Sequence, residues 1–206
     1  CLEESFAQTR AWIGGAAFHD AVVAHIDRVP PTSWTLDAYP QDFPATLDML
    51  FPHDPEVTEL AWIECALGEA FVGPDTAALG AAVLEDVDWD SAMLLFTPTL
   101  SLRALTTNAP ALWSALSAAD VPPAVQLLPE PGAILVWRRD HASLFRAINC
   151  VESGALSRAS AGMAFPHLCA LLVAAHGESV GIALAGTMLG QWLADGLIVG
   201  ITAVQR

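Results

Sequence analysis

The sequence contains no lysine: its eight basic residues are all arginine, set against 23 acids for a net charge of −15. So few cations on so acidic a chain repel a phosphate backbone, which argues against ordinary nucleic-acid binding. Charged residues of both signs make up only 15% of the chain and apolar residues 54%, which excludes intrinsic disorder. The four cysteines, Cys1, Cys65, Cys150 and Cys169, are scattered with no C-x-x-C pair. That excludes a disulfide framework and fits a reduced, cytoplasmic protein. Cys1-Leu2-Glu3-Glu4 has no basic run before an apolar one, so no signal peptide is expected. A transmembrane run is lacking too. Ala159–Gly177 is uncharged but interrupted by Pro166, His167 and His176, and Ser179–Ala194 contains three Gly and a Gln. A span needs roughly 20 mostly apolar residues, so both are expected as buried helices and no membrane partner is expected.

Catalytic signatures are missing as well. The sequence holds no G-x-G-x-x-G, P-loop, G-x-S-x-G or H-E-x-x-H. His19 and His25 are six residues apart and do not share a helix face, and His167 and Cys169 point about 200° apart on a helix. Cys65, among Glu64, Ala66 and Leu67, reads as a small buried residue rather than a nucleophile. No catalytic residue, no metal ligand set and no cofactor is therefore expected in this chain, and a binding or adaptor role is favoured over an enzyme.

What is present is unevenly distributed. Residues 1 to 90 hold 17 acids and two Arg, whereas residues 91 to 206 hold six of each. The chain of 206 residues reads as an acidic helical domain, 1–90, and a neutral α/β domain, 91–206. The acidity serves solubility, or an acidic docking face for a partner. In the front part Ala16–Val29 reads as a helix ended by Pro30-Pro31, and Thr32–Pro55 as short helical turns. Asp54-Pro55-Glu56 is a helix start. Leu60, Ile63, Leu67 and Phe71 follow at helical spacing, with Glu56, Glu59 and Glu64 among the intervening positions. Gly73-Pro74 ends that helix, and Asp75–Asp90 reads as a linker.

In the back part Met93–Leu105 carries a strand signal and Ala109–Ala119 a short helix. Ala133–Arg138 and Ser143–Asn149 form a hairpin about Arg139-Asp140-His141. Helices are expected over 152–161, 166–175 and 180–195. Gly196 reads as a C-cap before a last strand, Leu197–Val204. A three-stranded sheet followed by three helices is the order of a winged-helix-like module.

Several segments resemble one family. Leu60-Ala61-Trp62-Ile63-Glu64-Cys65-Ala66-Leu67-Gly68-Glu69-Ala70-Phe71 is similar to its helix L-A-x-L-E-W-A-x-x-x-A-[FY]. Tyr39-Pro40-Gln41-Asp42-Phe43-Pro44-Ala45-Thr46-Leu47 resembles its Y-x-x-x-F-P-x-F-L stretch. Pro98-Thr99-Leu100 resembles the start of its second domain, Leu135-Val136-Trp137-Arg138 its L-V-W-R strand, and Gln191–Ile198 its terminal helix–Gly–strand. The family is the HvfC/BufC-like one, often labelled a putative DNA-binding domain. Cys65 stands where the family usually has Trp, and Thr97 where it has His.

The resemblance implies an α+β chain: an N-terminal helical domain and a winged-helix-like domain, similar to a recognition element of ribosomal peptide biosynthesis. It implies a non-catalytic subunit that pairs as a heterodimer with a multinuclear non-haem iron oxygenase. The iron lies in the partner. This chain would bind the leader of a ribosomal precursor peptide and present its cysteine for oxidation, a gain in effective concentration. A leader would add to an open strand edge. Ser143–Asn149 is the candidate edge, with Leu144, Arg146 and Ile148 on one face and Phe145, Ala147 and Asn149 on the other. Leu189 and Trp192 would wall a groove beside it, and Arg138 and Arg146 would pair with leader acids. Alternatively, Leu197–Val204 covers that edge and Leu100–Arg103 is the next candidate. The rival readings are a winged-helix DNA-binding transcriptional regulator, a metal-buffering protein and a stand-alone enzyme.

Overall fold

A computed structural model describes residues 1–30, 39–80, 84–85 and 87–203. In chain order the elements are α1 (Leu2–Ser5), α2 (Ala7–Ile13), α3 (Gly15–Arg28), a 3-10 turn (Tyr39–Asp42), α4 (Phe43–Leu50) and α5 (Pro55–Val72). Then follow β1 (Ala92–Phe96), β2 (Ser101–Thr107), α6 (Ala109–Ser117), β3 (Leu127–Arg139) and β4 (Ala142–Ile148). The chain ends with α7 (Cys150–Ser160), α8 (Phe165–His176), α9 (Glu178–Ala194) and β5 (Ile198–Ala203). The fold is mixed α+β with small antiparallel sheets, as expected. The expected turns at 32–38, residues 81–83 and 86 of the 75–90 linker and the strand end at Val204 lie outside the described residues.

The chain forms two compact units. One comprises Cys1–Glu69, Arg103–Ile134 and Phe145–Ala147, the other Ala70–Leu102, Leu135–Leu144 and Ile148–Arg206. The change of charge at residue 90 falls inside the second unit.

In the first unit, the apolar faces of the short helices meet around Phe43. Its ring lies 4.9 Å from Phe6 and 5.5 Å from Phe18, and Leu2, Ala21, Leu47, Val57 and Ala61 complete the core. Gly14 makes the α2–α3 joint at φ +84°, a conformation other residues adopt only at a cost. α5 begins as expected, with Pro55 in its first turn and Glu56 beside the positive end of the helix dipole. Its acids depart from the expectation. Glu56 and Glu59 are buried, while Phe71 is 63% exposed.

The reason lies in what Glu59 holds. Its carboxyl oxygens accept four hydrogen bonds at 2.5 to 3.1 Å, from the backbone N–H and the hydroxyl of both Thr106 and Thr107 at the end of β2. Thr107 Oγ1 in turn accepts from the N–H of Ala109 and so starts α6. Five residues along the helix, Glu64 does the same for α2, accepting from Gln8 N, Thr9 N and Thr9 Oγ1 at 2.7 to 3.0 Å. Burial pushes the Glu64 carboxyl above the usual carboxylate range, against the lowering effect of those three donors.

His25 is fully buried, its ring edge-on to Tyr39 and Phe43 at 5.0 and 5.2 Å. Nδ1 lies 2.7 Å from Thr46 Oγ1, which also accepts from Arg28 Nη1 at 2.9 Å. Burial lowers the imidazole below its ordinary value of 6.5, with Arg28 adding to the shift and Asp42 opposing it.

In the second unit β1 and β5 pair antiparallel, from Ala92↔Ala203 to Phe96↔Ile198, with an irregularity at Leu95/Phe96. Trp192 of α9 is fully buried, 5.6 Å edge-on to Phe96, and its Nε1 donates to Glu152. α9 stops in a Schellman motif: Gly196, at φ +74°, donates to Leu193 O and Leu197 to Trp192 O. α8 and α9 cross so closely that a Cβ on Gly181 would lie 2.5 Å from the backbone of Val173.

The second sheet has the strand order β2-β3-β4. Two strand expectations change here. Met93–Leu105 is two strands in two sheets. Thr97 and Thr99 join side chains at 2.9 Å and Leu100 N donates to Thr97 O, turning the chain at Pro98, which has no N–H to continue a ladder. β3 starts at Leu127 rather than Ala133. The added residues contain Pro129 and Pro131 and are largely exposed, so no apolar pattern marks them.

Two outcomes follow. Glu59→Ala leaves four donors without their acceptor, and chemical denaturation should show a loss of about 3–5 kcal/mol. The exposed Glu69→Ala on the same helix should stay within about 0.5 kcal/mol of the parent. For His25, a lowered folded value means that the unfolded chain takes up the proton first. Its contribution is therefore neutral above the ordinary value and turns destabilising as pH falls below it. Unfolding free energies measured from pH ~7.5 to ~5.5 should fall with pH, and the fall should be shallower in His25→Phe.

Candidate functional site

The hairpin β3–β4 puts the expected peptide-binding residues in unlike surroundings. β4 ends the β2-β3-β4 order, and β5 pairs with β1 rather than with β4. On β4, Leu144 is 37% exposed, Ala147 is exposed and Arg146 is half-buried. Ile148 is buried at 6%, and Phe145 is half-buried with its ring 5.0 Å edge-on to Trp113. These two are packing residues first.

Arg138, expected to meet acids of a peptide, already has partners. Its guanidinium donates to Asp75 Oδ1 and Phe71 O, and its side chain is only 10% exposed. Its backbone N–H donates to Thr99 Oγ1. A buried guanidinium seeks fixed acceptors, and the chain supplies them locally. Trp192, expected to wall a groove, is core, and Leu189 is half-buried. The eight expected residues thus reduce to Leu144 and Ala147 as the exposed strand positions, with Arg146 half-buried between them. Phe145, Arg146 and Ala147 count with the first unit and the others with the second.

Two cavities, both within the second unit, were not foreseen. One, of about 360 Å³, lies along α7 and α8. It is lined by Cys150, Gly154, Leu168, Leu171 and Leu172, with Arg158 and His176 also bordering it. The other, of about 530 Å³, is bordered by Met93–Pro98, Leu100, Leu102, Leu156, Ser157, Ser160 and Gly162. Apolar runs in the sequence signal burial, and nothing in them distinguishes the strand that borders an open groove.

The thiols divide by surroundings. Cys1 and Cys150 are exposed. Cys65 contacts Pro40 O at 3.8 Å, and its thiol is pushed up to about 12 by burial, then by the charges of Glu69 and Asp42. At neutral pH it is not a thiolate and does not act as a nucleophile. Burial raises Cys169 too. Among the described residues, no group of three or more His, Cys, Asp or Glu is placed to hold a metal ion, and no helix is long and apolar enough to cross a membrane.

No protein-family description and no curated protein matches this chain.

Alkylation with iodoacetamide at neutral pH, read by peptide mass mapping, should label Cys1 and Cys150 and spare Cys65. Unfolding in denaturant should expose all four thiols to the reagent.

Proposed function

We propose that this chain is a non-catalytic partner subunit of a multinuclear non-haem iron oxygenase, and that it binds the leader of a ribosomal precursor peptide. The iron and the oxidation of the peptide's cysteine belong to the partner. The observation that carries this reading is the place of β4 as the last strand of its sheet among the described residues. A three-stranded sheet, followed at once by three helices, ends on a strand that the last strand of the chain leaves uncovered. That is the arrangement a winged-helix-like peptide-recognition module needs, because an extended leader adds to the last strand of a sheet through main-chain hydrogen bonds. Leu144 and Ala147 offer accessible side chains along it. The motif resemblance supplies the oxygenase as the partner, and the scattered cysteines point to the cytoplasm as the location.

A second feature supports a protein partner. Between Ala159 and Ala194 the only charged residue is Glu178, and Leu171, Val180 and Ile182 are 46 to 58% exposed. An uncharged helical hairpin with apolar side chains in solvent is suited to a stable subunit interface, of about 1,600 Å² or more in total. Tethering the leader next to the oxygenase then makes oxidation of its cysteine effectively intramolecular.

The gene neighbourhood should hold a multinuclear iron oxygenase, and co-expression with it should give a 1:1 complex in gel filtration, with the iron in the partner. Iron held stoichiometrically by this chain alone counts against the proposal. Leu144→Asp and Ala147→Asp, at the two exposed positions of β4, should each weaken leader binding in calorimetry by about tenfold while circular dichroism stays unchanged. Unaltered affinity in both variants places the leader elsewhere.

A further inference from the structure

Gly154 sits inside α7, and neither the backbone nor the packing there calls for glycine. A glycine within a helix is destabilising relative to alanine. Gly181 of α9 has a packing reason, because a Cβ there would strike the backbone of Val173. Beyond the backbone of its own helix, a Cβ on Gly154 would meet a single atom within 4 Å, Nη1 of Arg158 at 3.0 Å. The missing side chain lets that guanidinium fold back along α7, where Nη1 donates to Gly154 O at 2.9 Å. Among the described residues Arg158 is in no ion pair, so most of its five N–H donors are unspent.

Both residues border the cavity of about 360 Å³ along α7 and α8. Residues 161–164 join the two helices, which therefore run back beside one another. Arg158 and Leu168 lie toward the connection, and Cys150 and His176 at the far ends. Short side chains, Val151, Gly154 and Ala155, face the larger Leu168, Leu171 and Leu172, and the difference leaves the space between them. From Cys150 to Arg158 is about 12 Å along the helix axis. Spread over that length, 360 Å³ is a cross-section of about 30 Å², room for one aliphatic chain and too little for a helix, which is about 10–12 Å across. None of the residues bordering the cavity is an acid. Glu152, the acid of α7, accepts from Trp192 Nε1 instead.

We propose that this cavity binds a small amphipathic carboxylate, an unbranched aliphatic chain with one anionic head. The head pairs with the remaining donors of Arg158, whose planar fork matches a carboxylate. The chain lies along Val151, Ala155, Leu171 and Leu172 toward Cys150. Apolar walls with one fixed polar group, in a volume of this size, are the usual make-up of a small-molecule site. An aliphatic cation of the same length is repelled by the guanidinium. Leu171 belongs also to the apolar face offered to a partner subunit, but the chemistry here follows from Arg158 and the cavity and does not depend on the peptide-binding reading.

The test uses the full chain and decanoate below its micelle concentration. Cys150 borders the cavity and Cys1 does not, and both thiols are exposed, so alkylation by iodoacetamide carries its own control. Decanoate should slow labelling of Cys150 and leave that of Cys1 unchanged. Arg158→Gln should raise the decanoate concentration needed for half protection by about tenfold. Gly154→Leu, which exchanges a poor helix former for a good one, should fill the cavity and abolish protection with circular dichroism unchanged. Decyltrimethylammonium, the same chain with the opposite charge, should not protect. Four results overturn the proposal: no protection of Cys150, equal protection by the cation, undiminished protection in Arg158→Gln, or parallel protection of Cys1. Protection by the capped peptide acetyl-Leu-Leu-Glu-amide where decanoate gives none assigns the cavity to a polypeptide and overturns it too, as does a dimer that Gly154→Leu disperses. Each of these leaves the reading of β4 untouched, and failure of a leader to bind β4 leaves decanoate protection of Cys150 standing.

Discussion

Two carboxyl groups on one helix organise the first unit. Glu59 and Glu64 project from α5 in different directions, and each takes hold of a Thr-bearing backbone segment. Apolar packing alone would let these short segments slide, because hydrophobic contact has no direction. A carboxyl that accepts two N–H groups and one or two hydroxyls sets position and orientation together. It also satisfies donors at the end of β2 and the start of α2 that would otherwise be buried at a cost of about 1–3 kcal/mol each. The unit has short helices and few long ones, and it depends on these two grips more than a larger bundle would.

In the second unit the determining event is the choice of partner by β5. The chain leaves α9 through Gly196, and β5 then pairs with β1. That pairing closes one side of β1, and it means that β5 does not cover β4. Among the described residues β4 is therefore the last strand of its own sheet. A strand edge is a set of unmade hydrogen bonds, and proteins that keep one generally use it or cover it.

The helices were largely legible in the sequence. Pro55, Pro110 and Pro166 open helices, Asn149 caps α7 by accepting from Glu152 N, and Gly196 ends α9, all local effects that need no tertiary information. The hairpin about Asp140, a residue at φ +54°, was legible on the same ground. The site was much less so. Arg138 reads as a free cation on a hairpin, yet Asp75, 63 residues away in sequence, holds it. Trp192 reads equally well as a groove wall or a core residue until Phe96 and Glu152 are seen against it.

The sequence by itself determined where most helices after α2 start and stop, the hairpin, the α+β class, the lopsided charge and the lack of known catalytic motifs. Capping, proline geometry and composition act over a few residues or over the chain as a whole, so they can be read without coordinates. Only the tertiary structure decided that Glu59 and Glu64 face inward, that Met93–Leu105 divides between two sheets, and that β5 pairs with β1 rather than with β4. Each of these depends on which distant segment supplies the partner. The energy of a hydrogen bond or a strand pairing belongs to both members, and neither member's local sequence names the other.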